Sequence, residues 1–102
     1  MDSGQNNHVL LEKFRLNPDE LDKAKELIEK HVVKIKRNGE FEELKLEMKI
    51  HGDIQNASYE IRGKLLFPRG IAVSEDRNEN PFIAIDSVLK KINTEFEHKI
   101  KK

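Results

Sequence analysis

The sequence predicts an α+β domain of order β-α-β-β-β-α, in which a four-stranded, mostly antiparallel sheet carries two helices packed on one face. Three observations support this. A capped amphipathic helix follows Asn17-Pro18, residues Glu43 to Ile50 alternate strictly between charged and apolar, and a second capped helix follows Asn80-Pro81. Helices with one apolar stripe and strands with one apolar side pack most economically as two layers, leaving the other sheet face in water.

The chain opens with small polar residues, Met1 to Asn7, expected to be a disordered leader, with residues 8–102 forming a single domain. Val9 to Leu16 is rich in Val, Leu and Phe and predicts a first strand, stopped by Asn17-Pro18. Asn17 is a suitable helix N-cap, Pro18 fits the first helical position, and Glu20 completes a capping box. Leu21, Ala24, Ile28, Val32 and Ile35 then recur at steps of three and four, which lays an apolar stripe along the helix. Acids sit in its first turn and Lys34, Lys36 and Arg37 in its last, as the helix dipole favours. Asn38-Gly39 is expected to end it through a left-handed residue past the C-cap.

Leu44, Leu46, Met48 and Ile50 share one face of the next strand, while Glu43, Lys45, Glu47 and Lys49 share the other. The apolar row is expected to face the same core as Leu21, Ile28, Ile85 and Leu89. A turn from Gly52 to Asn56 leads to a third strand with Tyr59, Ile61, Leu65 and Phe67 in one row. Pro68-Arg69-Gly70 is tight-turn chemistry, so Ile71 to Val73 should return as a short fourth strand, and the polar stretch Ser74 to Asn80 should be a loop. Phe82, Ile85, Leu89, Ile92 and Phe96 give the apolar stripe of the second helix.

The composition narrows the function. Of 102 residues 37% are charged, with 19 Lys+Arg balancing 19 Asp+Glu, so bulk attraction to nucleic acid or membrane is excluded and only local charge segregation could supply it. No apolar run is long enough to span a membrane, and the start has no basic segment followed by an apolar stretch, so no secretory signal is expected. With no cysteine there are no disulfides, thiolate metal sites or cysteine nucleophiles, which fits a cytoplasmic protein. His8, His31, His51 and His98 are scattered, without the i, i+4 spacing of a helical metal site. His31 falls at the edge of the first helix's apolar stripe and is read as a boundary packing residue. No nucleophile elbow or phosphate-cradling glycine loop occurs. The chain is therefore expected not to be an enzyme and to need no cofactor, no metal, no membrane and no small-molecule substrate, and to be a monomer when free.

Charge is segregated locally. From Lys30 to Gly39 there are four bases, Lys30, Lys34, Lys36 and Arg37, and no acid. Lys23, Lys30, Lys34 and Arg37 form one stripe flanking the apolar face. The last helix and its end carry Lys90, Lys91, His98, Lys99, Lys101 and Lys102. Glu40 to Asn56 holds five acids against two lysines, so a basic helical layer over an acidic sheet side is expected, and such a dipolar molecule can meet a phosphate surface at zero net charge. The same lysines also serve an ordinary solvated helix end, and charge alone leaves both readings open.

The segment Asn80-Pro81-Phe82-Ile83-Ala84-Ile85-Asp86-Ser87-Val88-Leu89-Lys90-Lys91-Ile92 resembles the opening of the second helix in the ribosome hibernation-promoting factor and ribosome-associated inhibitor family. Phe82, Ala84, Ile85, Asp86, Leu89, Lys91 and Ile92 carry the match. Lys34-Ile35 resembles the Lys-Leu pair late in the family's first helix, and Lys25 falls where the family often has a base. The resemblance implies the same β-α-β-β-β-α fold and a silencing factor seated in the tRNA and mRNA channel of the small ribosomal subunit. It further implies that bases of both helices contact rRNA: Lys25, Lys30, Lys34, Arg37, Lys90, Lys91, His98, Lys99, Lys101 and Lys102. The chain resembles the family's short form, without the domain that pairs ribosomes. Two alternatives are a regulatory protein-interaction module that does not bind the ribosome and a double-stranded RNA-binding domain. The second is weakened because that module opens its second helix with lysines, where this chain has Glu79-Asn80-Pro81-Phe82.

Overall fold

The computed structural model describes residues 8–53 and 55–101. The expected leader, Met1 to Asn7, lies outside them. The elements are β1 (Val9–Glu12), α1 (Pro18–Asn38), β2 (Glu43–His51), β3 (Ser58–Phe67), β4 (Gly70–Asn78) and α2 (Pro81–Ile100). The sheet order follows the chain, β1-β2-β3-β4. β1 pairs with β2 in parallel, and the remaining neighbours are antiparallel. A parallel pair needs a long crossover, which α1 supplies. The predicted α+β class and element order are both present.

Each helix starts as its capping residues dictate. The Asn17 side chain accepts a hydrogen bond from the Glu20 amide at 2.8 Å, and Glu20 accepts one from the Asn17 amide at 3.3 Å. Asn80 accepts from the amides of Phe82 and Ile83. At the C-terminus of α1 the expectation fails, because Gly39 has φ 165 and ψ 176, an extended backbone rather than a left-handed one. The space beside Gly39 is tight. A Cβ would lie 3.2 Å from Ile100 Cδ1 and 3.3 Å from Phe96 Cζ, against the end of α2.

The core lies between sheet and helices. Leu44, Leu46 and Met48 of β2, Ile61, Leu65 and Phe67 of β3, and Ala72 of β4 are buried against Ala24, Ile28, Val32 and Ile35 of α1 and the apolar stripe of α2. Phe67 and Phe96 meet edge to face with centroids 4.8 Å apart. The β2 register is the expected one, but its row ends early: Ile50 is exposed beside the hairpin loop, and Leu21 of α1 is only half-buried. Gly63 lies in the buried row of β3. A Cβ there would come 2.5 Å from Ile92 Cδ1 and 2.7 Å from Val88 Cγ1, so glycine sets how closely α2 approaches the sheet.

Two strand boundaries differ from expectation. β1 ends at Glu12 because Lys13 takes φ 59, a left-handed conformation that breaks the pleat. Phe14 and Leu16 then pack against the core from a loop rather than a strand. β4 does not stop at Val73 but continues to Asn78. Ser74, Asp76 and Asn78 are half-buried, and Val73, Glu75 and Arg77 are exposed, so the period of two persists with polar residues in the inner row. Hydropathy carries no strand signal where the inner row is polar.

Candidate nucleic-acid interface

The two helices run in the same direction. His31 Nε2 lies 2.7 Å from Asp86 Oδ1, and Asn38 Nδ2 donates to Asn93 Oδ1 at 2.8 Å. Both pairs are separated by 55 residues in sequence, so the register between α1 and α2 is constant over two turns. His31 is buried, in agreement with its reading as a packing residue, and it joins the two helices through Asp86. Asp86 also pairs with Lys90 at 3.0 Å. The hydrogen bond from His31, with help from Lys90, holds the Asp86 carboxyl below its ordinary range.

The bases of α1 and those of α2 differ in their partners. Lys30, Lys34 and Arg37 are exposed and have no ion pair among the described residues. They share one outward side of α1, and Lys23 continues the line. Lys25 is not part of this ridge. It lies on the opposite flank, at the rim of a cleft of about 440 Å³ lined by Val9, Leu11, Ile28, Glu29 and Val32.

On α2 the lysines are engaged. Lys90 pairs with Asp86, Lys91 with Asp76 at 3.3 Å, Lys99 with Glu95 at 3.1 Å, and Lys101 beyond the helix with Glu97 at 2.8 Å. Lys101 lowers the Glu97 carboxyl below its ordinary value. Asp76 is also lowered, first by the Ser87 hydroxyl, then by the Arg77 amide and Lys91. Lys99 additionally donates to the Ile71 carbonyl at 2.6 Å. His98 is exposed, and Lys102 lies outside the described residues. Eight of the ten expected bases thus divide into an unpaired ridge on α1, a set of four lysines of α2 and its end held by carboxylates, and Lys25 apart from both.

The expected acidic sheet side is not found. On the open face Lys45, Lys49, Arg62, Lys64 and Arg77 offset Glu12, Glu43, Glu47, Glu60 and Glu75. β3 and β4 supply bases that the composition of β2 did not reveal. Several of these charges pair across strands, including Lys45 with Glu12 at 3.4 Å and Arg62 with Glu75 at 3.4 Å. Glu60 accepts from Arg62 at 2.8 Å and lies 2.6 Å from His51 Nε2; His51 first, then Arg62, lowers its carboxyl. Such a face is self-neutralising and gives little field to an anionic partner.

Among the described residues no group of three or more His, Cys, Asp or Glu side chains converges on a metal position, and no helix is long and apolar enough to cross a membrane. Sequence reasoning missed the contacts of Asp76 with α2 because it placed a loop where the strand continues, and it missed those of Glu95 and Lys99 because their partners are backbone groups of Val73 and Ile71. The only signal available was the alternation of Ser74, Asp76 and Asn78 with Val73, Glu75 and Arg77.

The sequence matches no protein-family model and no curated protein. The fold is shared with solved structures. The N-terminal domain of Protein Y from Thermus thermophilus is 20% identical, with a TM-score of 0.58 over 91% of this chain and 97% of that one. A ribosomal subunit interface protein from Coxiella burnetii is 13% identical, with a TM-score of 0.65 over 93% of this chain and 99% of that one. At such identities the likeness establishes the architecture.

Proposed function

We propose that the chain is a ribosome-associated silencing factor that binds rRNA of the small subunit through the helical layer, without catalysis. The observation that carries this reading is the unpaired ridge of Lys30, Lys34 and Arg37, on a fold shared with a ribosomal subunit interface protein. The resemblance of residues 80–92 to the hibernation-promoting family supports the same partner.

The physical basis is counterion release. An unpaired cation that meets a phosphate frees a condensed counterion, whereas a lysine already held by a carboxylate must first give up that partner. Lys30, Lys34 and Arg37 therefore carry the binding, and Lys90, which Asp86 holds, contributes less. Lys25, Lys91, His98, Lys99, Lys101 and Lys102 add contacts at the margins. The self-neutralised sheet face points away from the RNA.

Sucrose-gradient sedimentation of a lysate with detection of this chain tests the proposal. Co-migration with small subunits or whole ribosomes supports it. Confinement to the top of the gradient, even at low salt, overturns it in favour of a regulatory module that binds other proteins.

A further inference from the structure

The two edges of the sheet differ in what holds them. At β4 the Val73 amide donates to Glu95 Oε1 at 3.2 Å and the Ile71 carbonyl accepts from Lys99 Nζ at 2.6 Å. At β1 the Leu44 amide donates to the His8 carbonyl at 2.8 Å, which fixes the phase of the parallel ladder. His8, Leu10 and Glu12 therefore turn their backbone groups toward β2, and Val9 and Leu11 turn theirs to the open edge. Among the described residues no turn, loop or cap supplies a backbone hydrogen bond to Val9 or Leu11. Bare edge groups of this kind are a template for another strand.

The same alternation sorts the side chains. Val9 and Leu11 are half-buried and line the cleft with Ile28 and Val32 of α1. Leu10 is 45% exposed on the open sheet face, with His8 and Glu12 exposed on either side of it. Lys25 and Glu29, one helical turn apart, stand at the rim of the cleft, and neither has an ion pair among the described residues.

We propose that β1 is a self-association edge, at which a second copy of this chain adds its own β1 antiparallel about a two-fold axis at Leu10. The occupant is a second copy because the edge is complementary to itself, pair by pair. Val9 faces the partner's Leu11, and Leu11 faces the partner's Val9. These are the residues whose N–H and C=O groups point outward, so the hydrogen-bonded positions of the new ladder fall on them. Glu12 faces the partner's His8, and the symmetry repeats this favourable pair. The one residue that meets its own copy is Leu10, so an exposed apolar side chain is covered by another. The two-fold axis also reverses α1 against its copy, which sets Lys25 toward the partner's Glu29 at the mouth of the joined clefts. The ridge of Lys30, Lys34 and Arg37 lies on the other flank of α1 and stays open. The inference is therefore independent of ribosome binding, and it departs from the monomer expected from the sequence.

The test is analytical ultracentrifugation of the full chain over a dilution series, with a disulfide trap for the register. The mass of the wild type doubles toward the top of the series. Leu10→Glu, whose carboxylate has Lys45 opposite it within the sheet, sets two carboxylates against each other at the axis and sediments as a monomer throughout. The chain has no cysteine of its own. Directly opposed residues at a non-hydrogen-bonded antiparallel position lie about 4.5 Å apart at Cα, within disulfide reach. Leu10→Cys therefore links to its copy under mild oxidation, and Val73→Cys on the opposite edge does not. If Leu10→Glu loses its circular dichroism, the trap decides alone. A wild type that stays monomeric at every concentration, a dimer that survives a folded Leu10→Glu, or a Leu10→Cys variant that links no better than Val73→Cys overturns the inference.

Discussion

His31 of α1 and Asp86 of α2 meet at 2.7 Å, joining two parallel helices across their shared side, with the imidazole buried and the carboxylate half-exposed. Asp86 sits between this buried ring and the solvent-facing Lys90, so one carboxylate links the helix interface to the basic surface. Anything that changes Asp86 therefore alters both packing and surface charge.

Asp86→Ala leaves a His31 ring nitrogen buried without its partner, which costs about 1–3 kcal/mol of stability. Denaturant unfolding at neutral pH measures it. Asp86→Asn keeps the shape and an acceptor and is expected to cost less.

The same carboxylate gives a pH dependence. The folded pKa of Asp86 lies below its ordinary value of 3.8, because of His31 first and Lys90 second. Its contribution is therefore complete above that ordinary value and is lost as the pH falls through the lower folded value. Asp76 acts in the same sense through Ser87. The wild-type melting temperature should fall on acidification below that range, and Asp86→Asn should fall less steeply. Parallel curves for the two proteins would show that the bridge has no part in acid unfolding.

Gly63→Ala tests the approach of α2 to the sheet. The added methyl meets Ile92, Val88 and Leu46, and overpacking of this kind costs about 1–3 kcal/mol. Ile85→Ala creates a cavity in the same layer, since Ile85 is fully buried, and costs about 2–5 kcal/mol. Thermal melts of both variants check the values. A neutral Gly63→Ala would mean that the helix can move outward.

Asn17→Ala removes the side-chain arm of the capping box, leaving the backbone amide that donates to Glu20, and should destabilise the fold by about 0.5–2 kcal/mol. Asn17→Asp keeps the acceptor and should recover most of the loss. Chemical denaturation of the pair separates the cap from any general effect of changing the loop.

How legible each part was in the sequence depends on where its information lies. The caps at Asn17 and Asn80, the α1 stripe and the β2 alternation rest on local spacing, which a single chain displays. The end of β1 rests on the left-handed Lys13, a residue with no intrinsic preference for that conformation. The second half of β4 rests on α2, whose Ser87 and Lys91 hold Asp76 in a polar inner row. Gly39 read as a conformational stop, yet its backbone is extended and its close neighbours are Phe96 and Ile100, far along the chain. Among the site residues, composition located the bases but could not distinguish Lys34, which has no partner among the described residues, from Lys91, which Asp76 holds. Pairing is tertiary information.

That distinction yields the last prediction. Lys30→Ala, Lys34→Ala and Arg37→Ala should each weaken ribosome binding and lower the log–log salt slope by about 0.9 per lost phosphate contact. Lys91→Ala and Lys99→Ala should change the slope less, because their charges are already balanced by Asp76 and Glu95. Lys45→Glu with Lys49→Glu, on the open sheet face, serves as the control for net charge. Pelleting of each variant with small subunits over a salt series, with circular dichroism to confirm the fold, gives the slopes. If the α2 variants flatten the salt dependence and the α1 variants do not, the carboxylate partners are released on binding and α2 becomes the contact helix. If only the sheet-face pair loses binding, the interface lies on the opposite side, and the α1 ridge is an ordinary solvated surface.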